Sequence, residues 1–397
     1  VKMKFRKFMF AISLLITLLT FSSIIGLGDQ LIVPSKDYPT IQKAVENADP
    51  ILDFILVKEG TYNEDLSLNK EDVKIEGYND NEYFIDGDVV FSSPDVSINN
   101  ANITGKWIVK DDGKIQDAVH SAGDGDRILI KEGNYDDEPV IVKYHDDYDY
   151  HPGRKSYNII GDTSGDLGST VPEDRELIYA RRFHIRPEAN GTTIRGFHLT
   201  SPDDNTDIAG IAIASLELDF LFLVPNEDLE GDGYVKSKDN NIHFNEISNH
   251  IIGVGLYLAN DNTIGSTEYG YPDNYLHNNL FGVGLLGAEK LELPRREWET
   301  DEIIVNETFP MPTDGNYIGG NFIYDNYMGV GLLGAEENTI EGNWVVGDDT
   351  NLDIGLGQSL FGIGIGGIQE ISLNVYADTD SLGVLPSRIE LPGNNNS

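Results

Sequence analysis

Cysteine is absent from the 397 residues, and methionine and histidine are scarce, with four and eight residues. No disulfide or thiolate metal site can therefore form. The histidines show no ligand cluster of the transition-metal type, and soft copper ligands are nearly missing. Basic residues are also few, because 28 lysines and arginines stand against 67 acidic residues and leave a net charge of −39. Such a field repels nucleic acid and anionic membranes, so neither is expected as a partner.

Positive charge is concentrated at the start of the chain, where four basic side chains precede an uncharged apolar run over residues 8–27. This order is typical of a secretory signal peptide. The run is also long enough to span a bilayer, so an uncleaved N-terminal anchor is the alternative. Under either interpretation, residues 1–28 predict a secreted or cell-surface protein. The anchor would be its one contact with a membrane.

Asparagine and glycine are abundant instead, and they recur with a fixed period. The tripeptide Asn-x-Ile returns after 22 residues twice, from Asn240 to Asn262 and from Asn316 to Asn338. Runs of the form Gly-x-Gly-x begin 29, 47 and 33 residues apart, which is 22 plus insertions of 7, 25 and 11. These runs begin at Gly253, Gly282, Gly329 and Gly362. A repeat of this length predicts a solenoid, in which each unit buries its apolar face against its neighbours.

The composition of the unit favours a right-handed parallel β-helix, which is an all-β solenoid. β-Branched apolar residues predict short strands, and glycine and asparagine suit the corners between them. Leucine-rich repeats have a similar length, but their Leu-x-x-Leu-x-Leu frame is missing. We expect the asparagines of successive coils to stack in hydrogen-bonded ladders.

A second, longer repeat precedes the first. Residues 41–48 and 115–122 share the pattern Ile-Gln-x-Ala-Val, with apolar residues at i, i+3, i+4 and i+7, which predicts two short amphipathic helices. An apolar strand and then Gly-x-Tyr follow each helix, as Gly60-Thr61-Tyr62 and Gly133-Asn134-Tyr135. This order resembles the start of β-helix proteins of the pectin-lyase-like superfamily. The later coils resemble the repeats of that group, including its NosD-type members.

The resemblance implies two β-helix segments, each begun by a capping helix. We predict a short segment over 29–106, a main segment with insertions over 107–375, and a tail over 376–397. The superfamily includes lyases, hydrolases, esterases, adhesins and inert scaffolds, so no single activity follows. The esterase-type Asp-Phe-Ile-Phe-Gly and hydrolase-type Gly-His-Gly motifs are missing, and Asn205-Thr206-Asp207 continues with Ile208 where the hydrolase motif has glycine.

Arginine is concentrated between residues 175 and 198, which hold five of the eleven arginines. On an extended strand, Arg182, His184 and Arg186 share one face, opposite two residues that point into the core. Guanidinium groups match carboxylate sugars, and in pectate-lyase relatives an arginine acts as the base beside bound calcium. Arg182, His184 and Arg186 are therefore the candidate catalytic residues. The alternative is that the arginines pair with neighbouring carboxylates.

Two acidic segments are candidate calcium sites. The first follows the arginine-rich strand and consists of Asp203, Asp204 and Asp207. The second resembles an EF-hand loop, with oxygen ligands at positions 1, 3, 5 and 12 and glycine at position 6. Its ligands are Asp228, Glu230, Asp232 and Asp239. The glutamate at position 3 and the short aspartate at position 12 depart from that pattern, so a flexible acidic loop is the alternative.

Aromatic and basic residues complete the candidate substrate site. The tyrosines at 144, 148, 150 and 157 predict a sugar-stacking platform or, alternatively, a packed surface loop. The candidate substrate ligands are Tyr144, Tyr148, Tyr150 and Arg195. We therefore predict an exported protein that binds polysaccharide or another component of the cell envelope, or that serves as a structural or adhesive module. The alternative is a calcium-dependent polysaccharide lyase or related carbohydrate-active enzyme that acts on an anionic polysaccharide. The sequence leaves open whether the protein is an enzyme.

Overall fold

The computed structural model describes most of the chain between residues 29 and 376. The described ranges are 29–50, 53–135, 139–142, 156–161, 178–186, 189–201, 208–214, 217–219, 222–224, 237–266, 272–296, 303–311, 313–333, 335–346, 361–366 and 372–376. The chain divides into two compact units, Val1–Gly105 and Lys106–Ser397. Within the described residues, no helix is both long and apolar enough to cross a membrane.

The first unit is a short parallel β-helix with three stacks of strands. The first stack consists of Gln30–Val33, Phe54–Val57, Lys74–Gly77 and Ser97–Ile98. The second consists of Thr61–Tyr62, Tyr83–Ile85 and Ala101–Ile103, and the third of Leu66–Leu68 and Val89–Phe91. A short 3-10 turn over Tyr78–Asp80 lies between two of these strands. The residues of each strand alternate between core and surface, as half-buried strands require.

Both predicted helices form, as α1 (Ile41–Asn47) and α2 (Ile115–Ser121). Each buries the stripe that the sequence predicts, and Thr40 caps α1 by accepting a hydrogen bond from the main-chain N–H of Lys43 at 3.1 Å. The glutamine that the two copies share makes the same kind of contact in both. Gln42 exchanges two hydrogen bonds with the main chain of Ser67, and Gln116 does the same with Ile141. These bonds fix each helix to a strand of the coil that follows it.

The Gly-x-Tyr motifs also have structural roles. The Tyr62 hydroxyl donates a hydrogen bond to the carbonyl of Lys58 at 2.8 Å, and the Tyr135 hydroxyl donates to the carbonyl of Lys131 at 3.1 Å. The Glu64 carboxylate accepts hydrogen bonds from the main-chain N–H groups of Ile41 and Gln42, both at 2.9 Å. Glu64 therefore neutralises the exposed N–H groups at the start of α1, where a negative charge is favourable.

The second unit is built from three parallel sheets, here named sheets I, II and III. Sheet I consists of Trp107–Val109, Arg127–Ile130, Asn158–Gly161, Thr193–Arg195, Asn241–His243, Thr263–Gly265, Tyr317–Gly319, the first part of Thr339–Val346, and Ser372–Tyr376. Sheet II consists of Gly133–Tyr135, Ile178–Ala180, His198–Thr200, Glu246–Ser248, Tyr275–His277, Phe322–Tyr324 and the last part of Thr339–Val346. Sheet III consists of Val140–Val142, Phe183–Ile185, Ala209–Ala214, Ile252–Tyr257, Phe281–Leu286, Met328–Leu333 and Phe361–Gly366.

The chain visits sheets I, II and III in turn, so each round trip is one coil of a parallel β-helix. The predicted all-β solenoid is confirmed by this register. Seven successive rungs of sheet I, from Arg127–Ile130 to the first part of Thr339–Val346, each point one isoleucine inward, and none of these is more than 1% exposed. They are Ile128, Ile159, Ile194, Ile242, Ile264, Ile318 and Ile340. Each buries its side chain only between its neighbours above and below, as in other solenoids.

The predicted phase of the glycine repeat is also confirmed. In sheet III, Val254 pairs with Val283, Val283 with Val330, and Val330 with Ile363. The 25-residue insertion forms an antiparallel hairpin, Ala288–Arg296 with Ile303–Met311. The 7-residue insertion lies between sheets I and II, and the 11-residue insertion falls between Val346 and Phe361, outside the described residues. A further hairpin, Glu217–Asp219 with Phe222–Val224, follows sheet III earlier in the chain, and Thr313–Asp314 pairs with Ala335–Glu336.

Asparagine ladders hold the corners together, as predicted. In the ladder before sheet I, each buried amide donates to the side-chain oxygen of the next at 2.9 Å, from Asn240 through Asn262 and Asn316 to Asn338. A second ladder before sheet II joins Asn245, Asn274, Asn321 and Asn343, and a third before sheet III joins Asn279 to Asn326 through a main-chain N–H. Because buried amides must be paired, each ladder fixes the height of one coil on the next.

Glycine begins each sheet III run because the chain bends close to its neighbours there. A Cβ on Gly282 would lie 2.6 Å from Cγ2 of Ile323 and 2.7 Å from the carbonyl oxygen of Gly329. Both distances are far below van der Waals contact, so a larger residue would force the coils apart.

Candidate functional site

The outward surface of sheet II carries a continuous strip of aromatic and ionisable side chains. Its strands are three residues wide at each rung, with the central residue inward and the two flanking residues outward. The register of the paired strands aligns six residues in one outward row, namely Tyr179, His198, Glu246, Tyr275, Phe322 and Trp344. The second row contains Thr200, Ser248, His277, Tyr324 and Val346. We call these two rows the sheet II strip.

A carboxylate between two imidazoles lies in the middle of the strip. Oε1 of Glu246 is 3.0 Å from Nε2 of His277, and Oε2 of Glu246 is 3.6 Å from Nδ1 of His198. The Asn278 amide lies 3.0 Å from Nδ1 of His277 and can donate to it. With that orientation, Nε2 of His277 carries the ring hydrogen and donates a hydrogen bond to Oε1 of Glu246. All three side chains keep 14–21% of their surface exposed, so the cluster can reach a ligand.

Burial and charge act in opposite directions on His198. Desolvation lowers the pKa of His198 below 6.5 because burial disfavours the charged imidazolium. The Glu246 carboxylate opposes this by favouring the protonated ring, and His277 adds a small lowering effect. His198 therefore remains mainly a neutral hydrogen-bonding group at pH 7, able both to donate and to accept.

Aromatic rings extend the strip on both sides of the charged cluster. Tyr179 lies 5.0 Å from His198 between ring centroids, and His277 stacks on Tyr324 at 4.7 Å with 14° between the ring planes. Phe322 lies 4.8 Å from Tyr324 and 6.3 Å from Trp344, whose side chain is 38% exposed. Such a surface offers flat apolar faces with polar groups at their edges, the combination that suits a sugar ring.

The arginine-rich strand lies on a different face. Phe183 and Ile185 are fully buried, whereas Arg182, His184 and Arg186 are half-buried on the outward side of sheet III, as predicted. His184 pairs in register with Ile141 and Ala212. Arg182, His184 and Arg186 therefore share one surface, but they lie on a different sheet from the histidines and aromatic rings of sheet II.

Arg195, the other predicted substrate-binding cation, lies on sheet I. The corner at Gly196, which has a φ of 84°, follows it and turns the chain into sheet II. The structure thus separates Arg195 from Arg182 and Arg186, so these three arginines do not share one sheet. Arg195 instead faces the same direction as His243, its partner in the next rung.

Most of the predicted metal and tyrosine residues lie outside the described residues. This applies to Tyr144, Tyr148, Tyr150, Asp203, Asp204, Asp207, Asp228, Glu230 and Asp232. The prediction was wrong for Tyr157, which is 1% exposed and therefore packs in the core, where its ring cannot stack on a sugar. Asp239 is described, is exposed and lies 3.6 Å from Nζ of Lys238. Across the described ranges, no group of three or more His, Asp or Glu side chains converges as a metal site would.

The sheet II strip was not predicted from the sequence, although one signal for it was present. Asn245, Asn274 and Asn321 each precede a three-residue strand of sheet II, and Asn343 precedes the last part of Thr339–Val346, which pairs with the same sheet. Aligning the chain on this second set places Glu246, Tyr275, Phe322 and Trp344 at one position of the coil. The variable insertions between these asparagines conceal that alignment.

No protein-family model matches the chain, and no curated protein matches it in sequence. Among solved structures, a double mutant of the periplasmic alginate epimerase AlgG is 13% identical, with a TM-score of 0.29, and covers 86% of this chain and 81% of its own. AlgG itself is 11% identical, with a TM-score of 0.27, and covers 87% and 81%. The assignment to the parallel β-helix proteins rests on the strand register.

Proposed function

We propose that the protein binds polysaccharide along the sheet II strip. The observation that carries this proposal is the Glu246 carboxylate, held between His198 and His277 and flanked by outward aromatic rings in consecutive rungs. The exposed face of Trp344 provides apolar contact for a sugar ring, while the carboxylate and imidazoles provide hydrogen bonds to hydroxyls. Each element of the site belongs to a different coil.

The spacing of the coils supports an extended ligand. Neighbouring strands of a sheet lie about 4.8 Å apart, so a chain that runs along the helix axis meets a new pair of outward side chains at every rung. A polymer of sugar rings has repeating units of comparable size. The strip spans six rungs from Tyr179 to Trp344, which favours a polysaccharide over a single small molecule.

The test is binding to a panel of soluble neutral and acidic polysaccharides by affinity electrophoresis. We expect Glu246→Gln to weaken binding about tenfold, because a carboxylate that accepts hydroxyl hydrogen bonds contributes more than a neutral amide. Glu341→Gln is the matched control, since it removes the same charge from the outward surface of sheet I. Equal loss in both variants would indicate a general charge effect and would contradict a site on sheet II.

A second candidate function is cleavage of an anionic polysaccharide by a calcium-dependent lyase reaction. The outward placement of Arg182, His184 and Arg186 on one strand favours it, because an arginine accessible to substrate can act as the base. Calcium would then be held by the acidic segments that lie outside the described residues. A polyuronate screen for unsaturated product, with and without calcium, tests this function. Product formation that survives Arg182→Ala and Arg186→Ala would remove those arginines from the reaction.

We also propose that the protein is exported and that it is distantly related to the pectin-lyase-like superfamily. Residues 1–28 predict export to the cell surface or beyond, and polysaccharides of the cell envelope are found there. The capping helices, the Gly-x-Tyr motifs and the Asn-x-Ile coils support membership of the pectin-lyase-like superfamily, which includes the NosD-type proteins. N-terminal sequencing of the exported protein tests the first part, and retention of residues 1–28 would identify an anchor.

A further inference from the structure

The outward surface of sheet I carries a group of cations that the polysaccharide site does not use. Arg195 and His243 lie in neighbouring rungs of one outward row. Arg127 lies in the other outward row, two rungs before Arg195, where its guanidinium is close enough to act on the charge of Arg195. We call Arg127, Arg195 and His243 the sheet I cation group.

Within the part of the chain that the structure describes, these cations have no carboxylate partner, unlike several of the lysines. With 67 acidic and 28 basic residues, a cation meets a carboxylate easily, and Lys43, Lys110 and Lys238 each have one within 4 Å. Among the described residues, no carboxylate lies at ion-pair distance from Arg127 or Arg195. The Nε atom of Arg195 is shielded from solvent and has no hydrogen-bond partner within the same part of the chain.

The arrangement of these like charges therefore costs free energy. Burial, and then the like charge of Arg127, lower the pKa of Arg195. Burial, followed by the charge of Arg195, lowers the pKa of His243 from 6.5 to about 4. Like charges that face each other without a counter-ion destabilise a fold, and proteins seldom keep them unless something binds there.

The surroundings of the group suit a small anion. The other outward row of sheet I brings neutral hydrogen-bonding side chains beside it, namely Asn158, Thr193 and Asn241, in the rungs of Ile160, Arg195 and His243. The Asp273 carboxylate at the next corner is bound elsewhere, because it accepts a hydrogen bond from the main-chain N–H of Phe244 at 3.1 Å, and among the described residues it forms no ion pair with the group. The neighbouring rungs beyond His243 present Gly265 and Gly319, which leave that side of the row without a side chain.

We infer that Arg127, Arg195 and His243 form an oxyanion-binding site on sheet I, for a carboxylate, sulfate or phosphate group. The guanidinium fork of Arg195 binds two oxygens, Arg127 neutralises the remaining charge, and an N–H of the His243 ring donates the third contact. The source of the anion is either a free inorganic ion or the acidic group of a saccharide. The site lies on a different sheet from the sheet II strip, so it does not depend on the proposed polysaccharide function.

The experiment follows the histidine rings by NMR while sodium sulfate, sodium phosphate or sodium galacturonate is added at constant ionic strength, with sodium chloride as the balancing salt. The signal of His243, assigned from His243→Asn, should move with saturation, and its pKa should rise because a bound anion favours the imidazolium. Arg195→Gln should weaken the response about tenfold and Arg127→Gln several-fold. Lys43→Gln on α1, with the same change of charge, should leave it intact.

The three anions separate the two sources. Saturation by sulfate or phosphate assigns a general oxyanion site, whereas saturation by galacturonate alone assigns a sugar carboxylate, and both support the inference. Lack of saturation by all three, or an undiminished response in Arg195→Gln and Arg127→Gln, would overturn it. Arg195→Gln also removes an uncompensated charge, so the variant should unfold at a higher temperature than the parent in anion-poor buffer. If that variant does not fold, Arg127→Gln carries the test, because Arg127 is exposed.

Discussion

Sheets II and III have the same architecture, but the side chains on their outward surfaces differ in chemistry. Both pair in parallel through successive coils, both bury a row of Ile, Leu and Val, and both are preceded by an asparagine ladder. Outward from sheet II stand histidines, a glutamate and aromatic rings. Outward from sheet III, later rungs than that of the arginine-rich strand carry consecutive glycines, Gly255, Gly284 and Gly331. Apolar side chains lie beside them, such as Leu286 and Leu333, which are 42% and 59% exposed.

The difference shows which residues the fold requires. Inward residues and corner asparagines recur because every coil meets the same packing and hydrogen-bonding demands. Outward residues meet no such demand, so variation among them is available for binding. The most regular motif in the chain, Gly-Val-Gly-Leu, therefore marks the surface with the least polar chemistry, and the candidate site lies where the outward residues change from coil to coil.

The largest loss of stability is expected when an asparagine ladder is broken, because sheets II and III both depend on the stacking of successive coils. The Asn262 amide donates to Ser237, Asn260 and Asn316, and its oxygen accepts from Asn240. Asn262→Ala leaves several buried polar groups unpaired, so we expect a loss of roughly 3 kcal/mol or more in the free energy of unfolding. Chemical denaturation measures this loss.

The control for that prediction is Asn241→Ala. Asn241 is exposed and makes one longer hydrogen bond, of 3.3 Å, to the carbonyl of Asp239. Its replacement should change the free energy of unfolding by less than about 0.5 kcal/mol. Similar losses in the two variants would show that stacked asparagines do not determine the stability of the coils.

The scaffold could be predicted from the sequence, because its demands repeat. Asn262 and Gly282 recur at fixed phase since each corner needs the same hydrogen bonds and the same close approach. The sheet II strip could not be predicted in the same way. His198 and Glu246 lie 48 residues apart and belong together only after the insertion between them is removed, and nothing in local sequence gives the length of that insertion.

The placement of Arg195 shows the same limit. Its closeness in sequence to Arg182 and Arg186 suggested one substrate site. A β-helix sends residues that are about ten positions apart to different sheets, because each strand is only a few residues long and a corner follows it. The sequence indicated which cations were unusual, whereas the surface that each one occupies depends on the phase of the coil.

A smaller loss of stability should distinguish two glycines in the same run of sheet III. Gly282→Ala places a Cβ 2.6 Å from Cγ2 of Ile323 and 2.7 Å from a main-chain oxygen, so we expect it to destabilise the protein by about 2 kcal/mol. Gly284→Ala places its Cβ on the outward side, 3.2 Å from Cγ2 of Ile252, which can move. It should cost less than about 1 kcal/mol, and an equal cost would mean that the outward glycines are also required by the fold.

Replacing one exposed side chain on each surface tests where the ligand binds. Trp344→Ala should weaken polysaccharide binding by about threefold to tenfold, as expected for the loss of one aromatic contact. Leu333→Ala removes a more exposed apolar side chain from sheet III and should leave binding unchanged. Affinity electrophoresis compares the two variants, and greater loss with Leu333→Ala would place the ligand on sheet III.

The smallest expected effect is a change in the pKa of His198 when the negative charge of Glu246 is removed from the sheet II strip. The Glu246 carboxylate raises the pKa of His198 against the lowering effect of burial, so Glu246→Gln should lower that pKa further below 6.5. The unfolded chain then takes up the proton at a higher pH than the folded chain does, and stability declines as the pH falls below 6.5. The decline should be larger in Glu246→Gln than in the parent. NMR titration of the His198 ring measures the pKa, with Glu341→Gln as the charge control, and an unchanged pKa would show that the 3.6 Å contact between Glu246 and His198 is not maintained in solution.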